Sequence, residues 1–369
     1  MKLKVLQENL NGMLLHLSKA IPSNPQLPVL SSIMIETENG SCTFSATDLY
    51  FGIRCSLNVD SDVDGNIIVP GKQFKEIISS LEPGVLEMLF EDNALSISNS
   101  KTNINLSGSN THEYPPFPQI EGEEYSFPIE YFEKIENNIV FSASADQARP
   151  VLTAVLFSFG EDGLTCVSTD GFRLSTLVID SSKKFDSKTF LIPAKALSEV
   201  FKIANKLKAE EVLFKVSEEL KQVFFSLNGV EVFVRLIEGE YPPYERIIPS
   251  SFETEVIFDT EELLDNLKRA MIFARESSNI VRFEILEDKV IIHSSSPTFG
   301  KYKGELHAVK VNGNKNEIAF NIKYLLDYLN ATKSEKQWFG MSESLKPAMF
   351  KPDKNENQQY VVMPFKVNG

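Results

Sequence analysis

The chain has 369 residues and a mass of 41.5 kDa, which predicts two to four domains at roughly 100–200 residues each. Hydrophobic residues make up 42% and charged residues 24%, so the composition excludes a disordered, collagen-like or disulfide-scaffold protein. The net charge of −14 argues against a simple basic nucleic-acid coat protein. No apolar run approaches the ~20 residues of a membrane span, and the start, MKLKVLQENL, lacks a signal-peptide segment. We therefore expect a cytoplasmic protein without membrane contact.

The three cysteines are odd in number and show no CxxC spacing. Cys42, Cys55 and Cys166 each lie in an apolar, strand-like run. This pattern favours buried free thiols over disulfides or a zinc site.

A hairpin pattern recurs along the chain. Two alternating β-type runs joined by a short acidic turn occur three times, with turn centres at Asn39, Asp162 and Asp288. The intervals of 123 and 126 residues predict three equivalent domains. Acidic, proline-rich stretches near residues 120 and 245 favour extended backbone and are suited to joints. The predicted domains are 1–120, 125–247 and 248–369.

Each part contains two amphipathic helices among strands of period two. In the fourth helix, for example, Leu197, Val200 and Ala204 recur at helical spacing and form one apolar stripe. The fold class is therefore α+β, with one unit used three times. In chain order, the six predicted helices span residues 7–20, 69–81, 128–149, 195–208, 261–275 and 323–336.

Sequence signatures of the common catalytic sites are absent. The chain has no GxxxxGK[ST] phosphate loop, no GxSxG elbow and no HExxH motif, and its four histidines lack metal-ligand spacing. We therefore expect no cofactor, no metal and no catalytic activity. Asp48 and Asp170, which repeat in two Thr-Asp pairs, are the strongest metal-ligand candidates. The alternative, which we favour, is that each carboxylate binds backbone amides at a turn.

Charge is distributed unevenly between the predicted elements. The six predicted helices sum to +3, which leaves −17 on the remaining residues. If the helices share one side of the protein, that side could contact phosphates. Solvated helix faces explain the charges equally well. The candidate phosphate contacts are Lys72, Arg149, Lys195, Lys202, Lys206, Lys208, Lys268, Arg269 and Arg275.

Local sequences along the whole chain resemble one known family. LPVLSSIMIET with FSATDLYFGIR in the first part, STDGFRLS and IEGEYPPYERIIP in the middle, and YVVMPFKV at the end occur in order. They resemble segments of the bacterial DNA sliding clamp, the β subunit of DNA polymerase III. The resemblance implies three tandem clamp domains in a head-to-tail homodimeric ring, with helices inside and sheets outside.

The implied function is that of a non-catalytic processivity factor. It would encircle duplex DNA, slide along it and tether the replicative DNA polymerase, and an ATP-driven clamp loader would open the ring. By similarity, the dimer interface would pair a strand of the first domain with a helix of the third. The residues at that contact would be Ile104, Leu106, Ile272 and Phe273.

The stretch from Met363 to Val367 is apolar except for Lys366, whereas a mobile terminus is usually polar. In the resembling family this tail lines a cleft between the second and third domains that captures peptides of the polymerase, the loader and other clamp-binding proteins. Arg173 and Arg246 would then be polar anchors at its rim. The alternative is that the tail is only the last strand of a sheet. The implied cleft residues are Leu152, Thr169, Gly171, Phe172, Arg173, Leu174, Pro242, Arg246, Ile247, Leu345, Val361, Met363, Pro364 and Phe365.

Two other functions remain as alternatives. One is a metal-dependent enzyme on nucleic acid with Asp48 and Asp170 as ligands. The other is a monomeric peptide-binding scaffold that never encircles DNA.

Overall fold

The computed structural model describes residues 1–91, 93–119, 121, 124–161, 163–180, 187–307 and 310–366. The predicted turn centre Asp162 and the tail residue Val367 lie outside this part of the chain. The described ranges contain six α-helices: α1 (Gln7–Leu17), α2 (Gly71–Ser80), α3 (Ile129–Asn138), α4 (Ala194–Lys206), α5 (Thr260–Ala274) and α6 (Ile322–Ala331). Short 3-10 turns occur at Pro28–Ser31, Thr111–Glu113, Val140–Ser142, Pro150–Thr153 and Tyr244–Arg246.

The strands of the same ranges follow in chain order. The first third contains β1 (Lys2–Leu6), β2 (Ser32–Glu38), β3 (Ser41–Thr47), β4 (Phe51–Asn58), β5 (Asp60–Val63), β6 (Gly65–Pro70), β7 (Val85–Glu91), β8 (Ala94–Ser98) and β9 (Asn103–Ser107). The middle third contains β10 (Glu124–Pro128), β11 (Ala154–Gly160), β12 (Gly163–Thr169), β13 (Arg173–Asp180), β14 (Lys188–Pro193), β15 (Glu211–Ser217), β16 (Gln222–Leu227) and β17 (Val230–Arg235). The last third contains β18 (Thr254–Asp259), β19 (Ile280–Ile285), β20 (Val290–Ser296), β21 (Gly300–Leu306), β22 (Lys310–Gly313), β23 (Asn316–Asn321), β24 (Lys336–Met341), β25 (Ala348–Pro352) and β26 (Gln358–Val362).

All six predicted helices run past their observed C-terminal ends, two of them by five residues or more. The helix predicted over 128–149 ends at Asn138, where Ile139 has φ −119° and a 3-10 turn over Val140–Ser142 follows. The Ser144 hydroxyl accepts from the backbone N–H of Asp146, and the Ser144 N–H donates to the Leu152 carbonyl. The helix predicted over 323–336 ends at Ala331, since Thr332 is extended and Lys336 already begins β24.

The chain divides into two compact units. The first contains Met1–Phe132 and Ser198–Leu236. Its strands form one sheet in the order β5-β1-β7-β8-β9 and another in the order β10-β15-β16-β17-β4-β3-β2-β6. Helices α1 and α2 pack together against this unit's strands, and their buried faces include Leu10, Leu14 and Phe74. The period-two burial of the strands agrees with sheets that have one core-facing side.

The second unit contains Glu133–Leu197 and Ile237–Gly369, of which residues 181–186, 308, 309 and 367–369 are among those not described. Its sheets have the orders β14-β11-β12-β13-β26-β25-β24-β18-β22 and β21-β20-β19-β23. Helices α5 and α6 pack together, and their apolar residues join a core that includes Phe283, Phe320, Phe339 and Tyr360. A smaller apolar cluster around Leu174 and Val361 lies where β13 and β26 pair. This second cluster supports the candidate site.

Candidate functional site

The Thr-Asp turn between β12 and β13 organises the site. The Asp170 carboxylate accepts from the backbone N–H groups of Phe172 and Arg173, at 2.9 and 3.1 Å. The Thr169 hydroxyl donates to the Arg173 carbonyl at 2.6 Å and accepts from the Gly171 N–H at 3.0 Å. Gly171 has φ +91°, a conformation that favours glycine. The turn holds the Phe172 ring out to solvent with 56% of its surface exposed.

The same turn recurs in the other two repeats. Asp48 accepts from the backbone of Tyr50 and Phe51 at 2.9 and 2.7 Å. In the third repeat Ser296 replaces the aspartate, and its hydroxyl accepts from Thr298 and Phe299 at 3.1 and 2.8 Å. Both aspartates therefore bind backbone amides, as the favoured interpretation predicted. Within the described ranges no group of three or more His, Cys, Asp or Glu residues is arranged to hold a metal ion.

Arg173 is partly buried and bound by two carboxylates, and its role as a polar anchor at the rim stays a prediction. Its side chain is 10% exposed, with one carboxylate partner buried (Asp170, 15% exposed) and the other half-exposed (Asp327, 47%). Its Nε donates to Asp170 Oδ2 at 3.0 Å, and Nη1 donates to Asp327 Oδ2 of α6 at 2.6 Å. The guanidinium also lies over the Tyr324 ring, 4.6 Å from its centroid. Burial lowers the pKa of Arg173, but the neighbouring Tyr360, Asp327 and Asp170 outweigh it, so the net shift is upward.

The C-terminal tail continues past β26 as a backbone-anchored segment. In the ladder, Leu174 pairs with Val361 and Arg173 with Val362. Beyond the strand, the Met363 N–H donates to the Phe172 carbonyl at 2.9 Å and the Phe365 N–H to the Ala319 carbonyl at 2.6 Å. The last strand therefore ends at Val362, and Met363 to Phe365 follow it as a segment held by backbone bonds, with Met363 and Phe365 exposed.

The candidate cleft combines exposed apolar side chains with a buried floor. The floor is formed by Thr169, Leu174 and Val361, which are 5% exposed or less. Tyr244 and Ile248 of the proline-rich joint pack on the same apolar cluster, and this brings the neighbouring Pro242, Arg246 and Ile247 to the site. Leu152 lies in the 3-10 turn before β11, and Leu345 lies between β24 and β25. The exposed members are Phe172 (56%), Ile247 (39%), Leu345 (59%), Met363 (39%) and Phe365 (43%).

The first unit contains a counterpart of this arrangement, but its floor is filled. Gly52 pairs with Phe233 where Leu174 pairs with Val361, and a Cβ on Gly52 would lie 2.1 Å from the Phe233 ring. Phe117 packs edge-on against Phe233 with 5.1 Å between centroids, and Arg54 covers Phe117 at 4.6 Å. In the first unit, aromatic side chains therefore cover the position that corresponds to the Leu174–Val361 pair.

Some residues that hold the site were missed by the sequence reasoning. Asp327 and Tyr324 come from α6, more than 150 positions from Arg173, and no local motif marks them. Tyr241 could have been found from the repeated EYPP sequence at 113–116 and 240–243. Its hydroxyl donates to the Val167 carbonyl at 3.5 Å, and Tyr114 makes the equivalent bond to Ser45 at 3.3 Å.

The candidate phosphate contacts are all exposed, but the helices do not carry an excess of positive charge. Within the observed bounds the six helices contain nine basic and ten acidic residues, so the predicted sum of +3 is wrong. The difference arises because Lys19, Lys208, Arg275 and Lys333 follow the ends of helices, where the dipole favours cations. The exposed candidates are Lys72, Arg149, Lys195, Lys202, Lys206, Lys208, Lys268, Arg269 and Arg275.

The predicted interface residues lie at two sheet edges. In the described ranges β9 pairs only with β8, and β21 pairs only with β20. Ile104 and Leu106 of β9 are half-buried. Ile272 of α5 is 59% exposed, and Phe273 stacks on Tyr302 of β21 with 6.2 Å between centroids.

The three cysteines are free and buried, as predicted. Burial, with a smaller contribution from Glu36, raises the pKa of Cys42 to about 12. Burial and Glu231 likewise raise the pKa of Cys55 to about 12. No helix of the described residues has the length and apolarity needed to cross a bilayer.

Family models match almost the whole chain. The N-terminal, central and C-terminal domain models of the DNA polymerase III beta subunit match residues 1–118, 127–243 and 245–366. The chain belongs to the DNA polymerase III beta subunit family. Curated relatives named beta sliding clamp include those of Staphylococcus aureus strain Mu50, 29% identical over 363 residues, and Halalkalibacterium halodurans, 29% identical over 364 residues. These alignments cover 94% and 95% of both chains, respectively.

Solved structures of sliding clamps have the same fold. The Bacillus subtilis DNA polymerase sliding clamp aligns with a TM-score of 0.95 at 27% identity and covers 100% of both chains. The Streptococcus pneumoniae DNA polymerase III beta chain aligns with a TM-score of 0.94 at 26% identity and covers 99% of this chain and 100% of its own. The chain is thus a non-catalytic processivity subunit of DNA polymerase with three α+β clamp domains, as the resemblance implied.

Proposed function

We propose that two copies of the chain close head to tail into a ring around duplex DNA. The observation that carries this proposal is the pair of one-sided sheet edges, β9 and β21, each beside apolar side chains. Pairing β9 of one subunit with β21 of the other would give hydrogen-bond partners to the free backbone groups of both edge strands. It would also cover the apolar side chains of Ile104, Leu106, Ile272 and Phe273. The other edge strand of the β21 sheet, β23, is already contacted by the tail through the Phe365 N–H.

The exposed basic residues on α2, α4 and α5 and near them are proposed to contact DNA phosphates inside the ring. These contacts would be independent of sequence and would weaken with salt. A closed ring holds DNA by topology, so the weak net charge of the helices is compatible with retention. The contacts proposed are Lys72, Arg149, Lys195, Lys202, Lys206, Lys208, Lys268, Arg269 and Arg275.

The exposed groove around Phe172 and Met363 is proposed to bind short apolar peptides of the replicative polymerase, the clamp loader and other clamp-binding proteins. Five exposed apolar side chains and the buried cluster around Leu174 and Val361 support this assignment, since apolar grooves bury peptide Leu and Phe side chains. Arg246 is exposed and suited to a polar contact at the rim. Arg173, bonded to Asp170 and Asp327, is proposed as a second polar group at the rim.

We further propose domain boundaries of 1–120, 125–247 and 248–369 and a location in the cytoplasm with the bacterial chromosome. The positions of the three family-model matches support the boundaries, and the bacterial clamp relatives support the location.

Solution mass tests the ring directly. A dimer is expected at twice the chain mass of 41.5 kDa, about 83 kDa, by sedimentation equilibrium. Ile272→Glu should shift the mass toward one chain, because the exposed side chain would become a charge in the interface. Leu345→Glu, a matched change at an equally exposed leucine of the groove, should leave the dimer intact. A wild-type mass near 41.5 kDa at all accessible concentrations would instead support the monomeric scaffold.

A further inference from the structure

An open cavity of 550 Å³ in the first unit is lined by four lysines and one carboxylate. The lysines come from three helices or their ends: Lys19 follows α1, Lys75 lies on α2, and Lys202 and Lys206 lie on α4. The carboxylate is Glu199 of α4. His16 also lines the cavity, and burial together with Lys206 lowers its pKa, so it is neutral at pH 7. The lining therefore carries a net charge of +3.

Glu199 lies among these lysines with most of its surface covered. Its side chain is 18% exposed. Oε1 accepts a hydrogen bond from Lys202 Nζ at 2.9 Å, and Oε2 is 3.8 Å from Lys19 Nζ without any hydrogen bond. Lys75 Nζ is occupied differently, since it donates to the Ser18 hydroxyl at 3.0 Å. A buried carboxylate oxygen without a hydrogen-bond donor costs free energy of folding. Glu199 Oε2 is such an oxygen, and it lies in a side chain that contacts two lysines.

We propose that Glu199 is an internal competitor for DNA phosphates, which occupies Lys19 and Lys202 and thereby weakens the grip of this helix face on the duplex. The inference rests on the proposed function, in which α4 faces the encircled DNA, and it adds Lys19 and Lys75 to the phosphate-binding face. Each phosphate contact adds about 0.9 to the slope of log K against log salt. A carboxylate that holds two lysines therefore lowers this slope and the friction that sliding has to overcome.

The test compares isosteric charge removals by fluorescence anisotropy of a short linear duplex across a KCl series. Glu199→Gln should raise affinity several-fold at low salt and steepen the slope by about one to two, because Lys19 and Lys202 become free for phosphates. Glu219→Gln is the matched control, since it removes the same charge from an exposed residue of the β15–β16 turn outside the cavity. Lys202→Ala should lower the slope in the wild type, and more strongly in the Glu199→Gln background.

The outcomes separate the two claims. If Lys202→Ala and Lys206→Ala weaken binding but Glu199→Gln behaves like Glu219→Gln, the competitor role is overturned while the DNA-facing assignment stands. If the lysine variants also bind like the wild type, the DNA-facing assignment of α4 fails, and the inference fails with it. Thermal melting of each variant confirms that binding is compared between folded proteins.

Discussion

The backbone N–H of Met363 donates to the carbonyl oxygen of Phe172 across 2.9 Å. This bond extends the β13–β26 ladder by one position and fixes the tail beside the Thr-Asp turn. Arg235 makes the equivalent bond to Tyr50 at 2.7 Å in the first unit, but there Phe233 and Phe117 fill the floor. The same backbone bond therefore supports the proposed groove in one repeat and a filled aromatic core in the other.

Phe172 is expected to be an anchor of peptide binding. Phe172→Ala should weaken binding of a polymerase-derived peptide containing Leu and Phe by roughly tenfold or more, as for a central aromatic contact. Phe299→Ala is the matched control, because Phe299 is 65% exposed on the corresponding turn of the third repeat. Isothermal titration should also give one peptide per chain. Equal losses in both variants, or two peptides per chain, would contradict the assignment of a single groove.

Arg173 is expected to matter for stability more than for direct peptide contact. Arg173→Ala leaves the 15%-exposed Asp170 and the half-exposed Asp327 without their cation and should reduce the free energy of unfolding by about 2–4 kcal/mol. Arg173→Lys should recover only part of this loss, because an ammonium cannot bridge both carboxylates and stack on Tyr324. Urea denaturation measures the free energy of unfolding of both Arg173 variants, and Arg246→Ala, at an exposed arginine, is the control. An unchanged urea midpoint in Arg173→Ala would show that these ion pairs do not contribute to stability.

Asp48 and Asp170 are expected to act in turns and not as metal ligands. Asp48→Ala removes two bonds to backbone N–H groups and should cost about 1–2 kcal/mol of stability, whereas Asp170→Ala also removes the ion pair with Arg173 and should cost more. Calorimetric titration with Mg²⁺ and Mn²⁺ should give the same weak signal for both variants and the wild type. Stoichiometric cation binding that disappears in these variants, together with loss of a nuclease activity, would favour the enzyme alternative.

The buried thiols predict a loss of stability at alkaline pH. The pKa values of Cys42 and Cys55 are raised to about 12, whereas an unfolded thiol titrates near pH 9. The stabilisation that comes from keeping these thiols protonated is therefore complete below pH 9. Above pH 9 only the unfolded chain loses the thiol protons, so the free energy of unfolding falls by about 1.4 kcal/mol per thiol for each pH unit. Cys42→Ala with Cys55→Ala should flatten the decline between pH 9 and 11 in urea denaturation. Fast labelling of the native protein with a thiol reagent at pH 8 would contradict burial.

Much of the architecture was predictable because the domain is repeated. The spacing of the hairpins indicated three units, and helical periodicity placed α2, α4 and α5 within two residues of their observed ends. The end of α3 was missed, since Ser142 and Ser144 make tertiary and loop bonds that periodicity does not reveal.

The chemistry of the groove was less predictable. The apolar tail and the Thr-Asp turn indicated the right segments, but the inward position of Arg173 depends on Asp327, which is distant in sequence. The prediction of cationic helices was also wrong, because the basic residues responsible for it follow the observed helix ends. Helix periodicity does not determine on which side of a boundary a polar residue falls.

Encirclement of DNA by a closed ring is tested most directly by retention on circular DNA. The protein is loaded onto nicked circular DNA with a bacterial clamp loader and ATP, washed at a salt concentration that disrupts phosphate contacts, and the circle is then cut at one site. A closed ring predicts retention on the intact circle and release once the DNA has ends, since electrostatic contacts are screened but the topological link is not. Loss at high salt from intact circles loaded by the source organism's own loader, at the same rate as from cut DNA, would contradict encirclement.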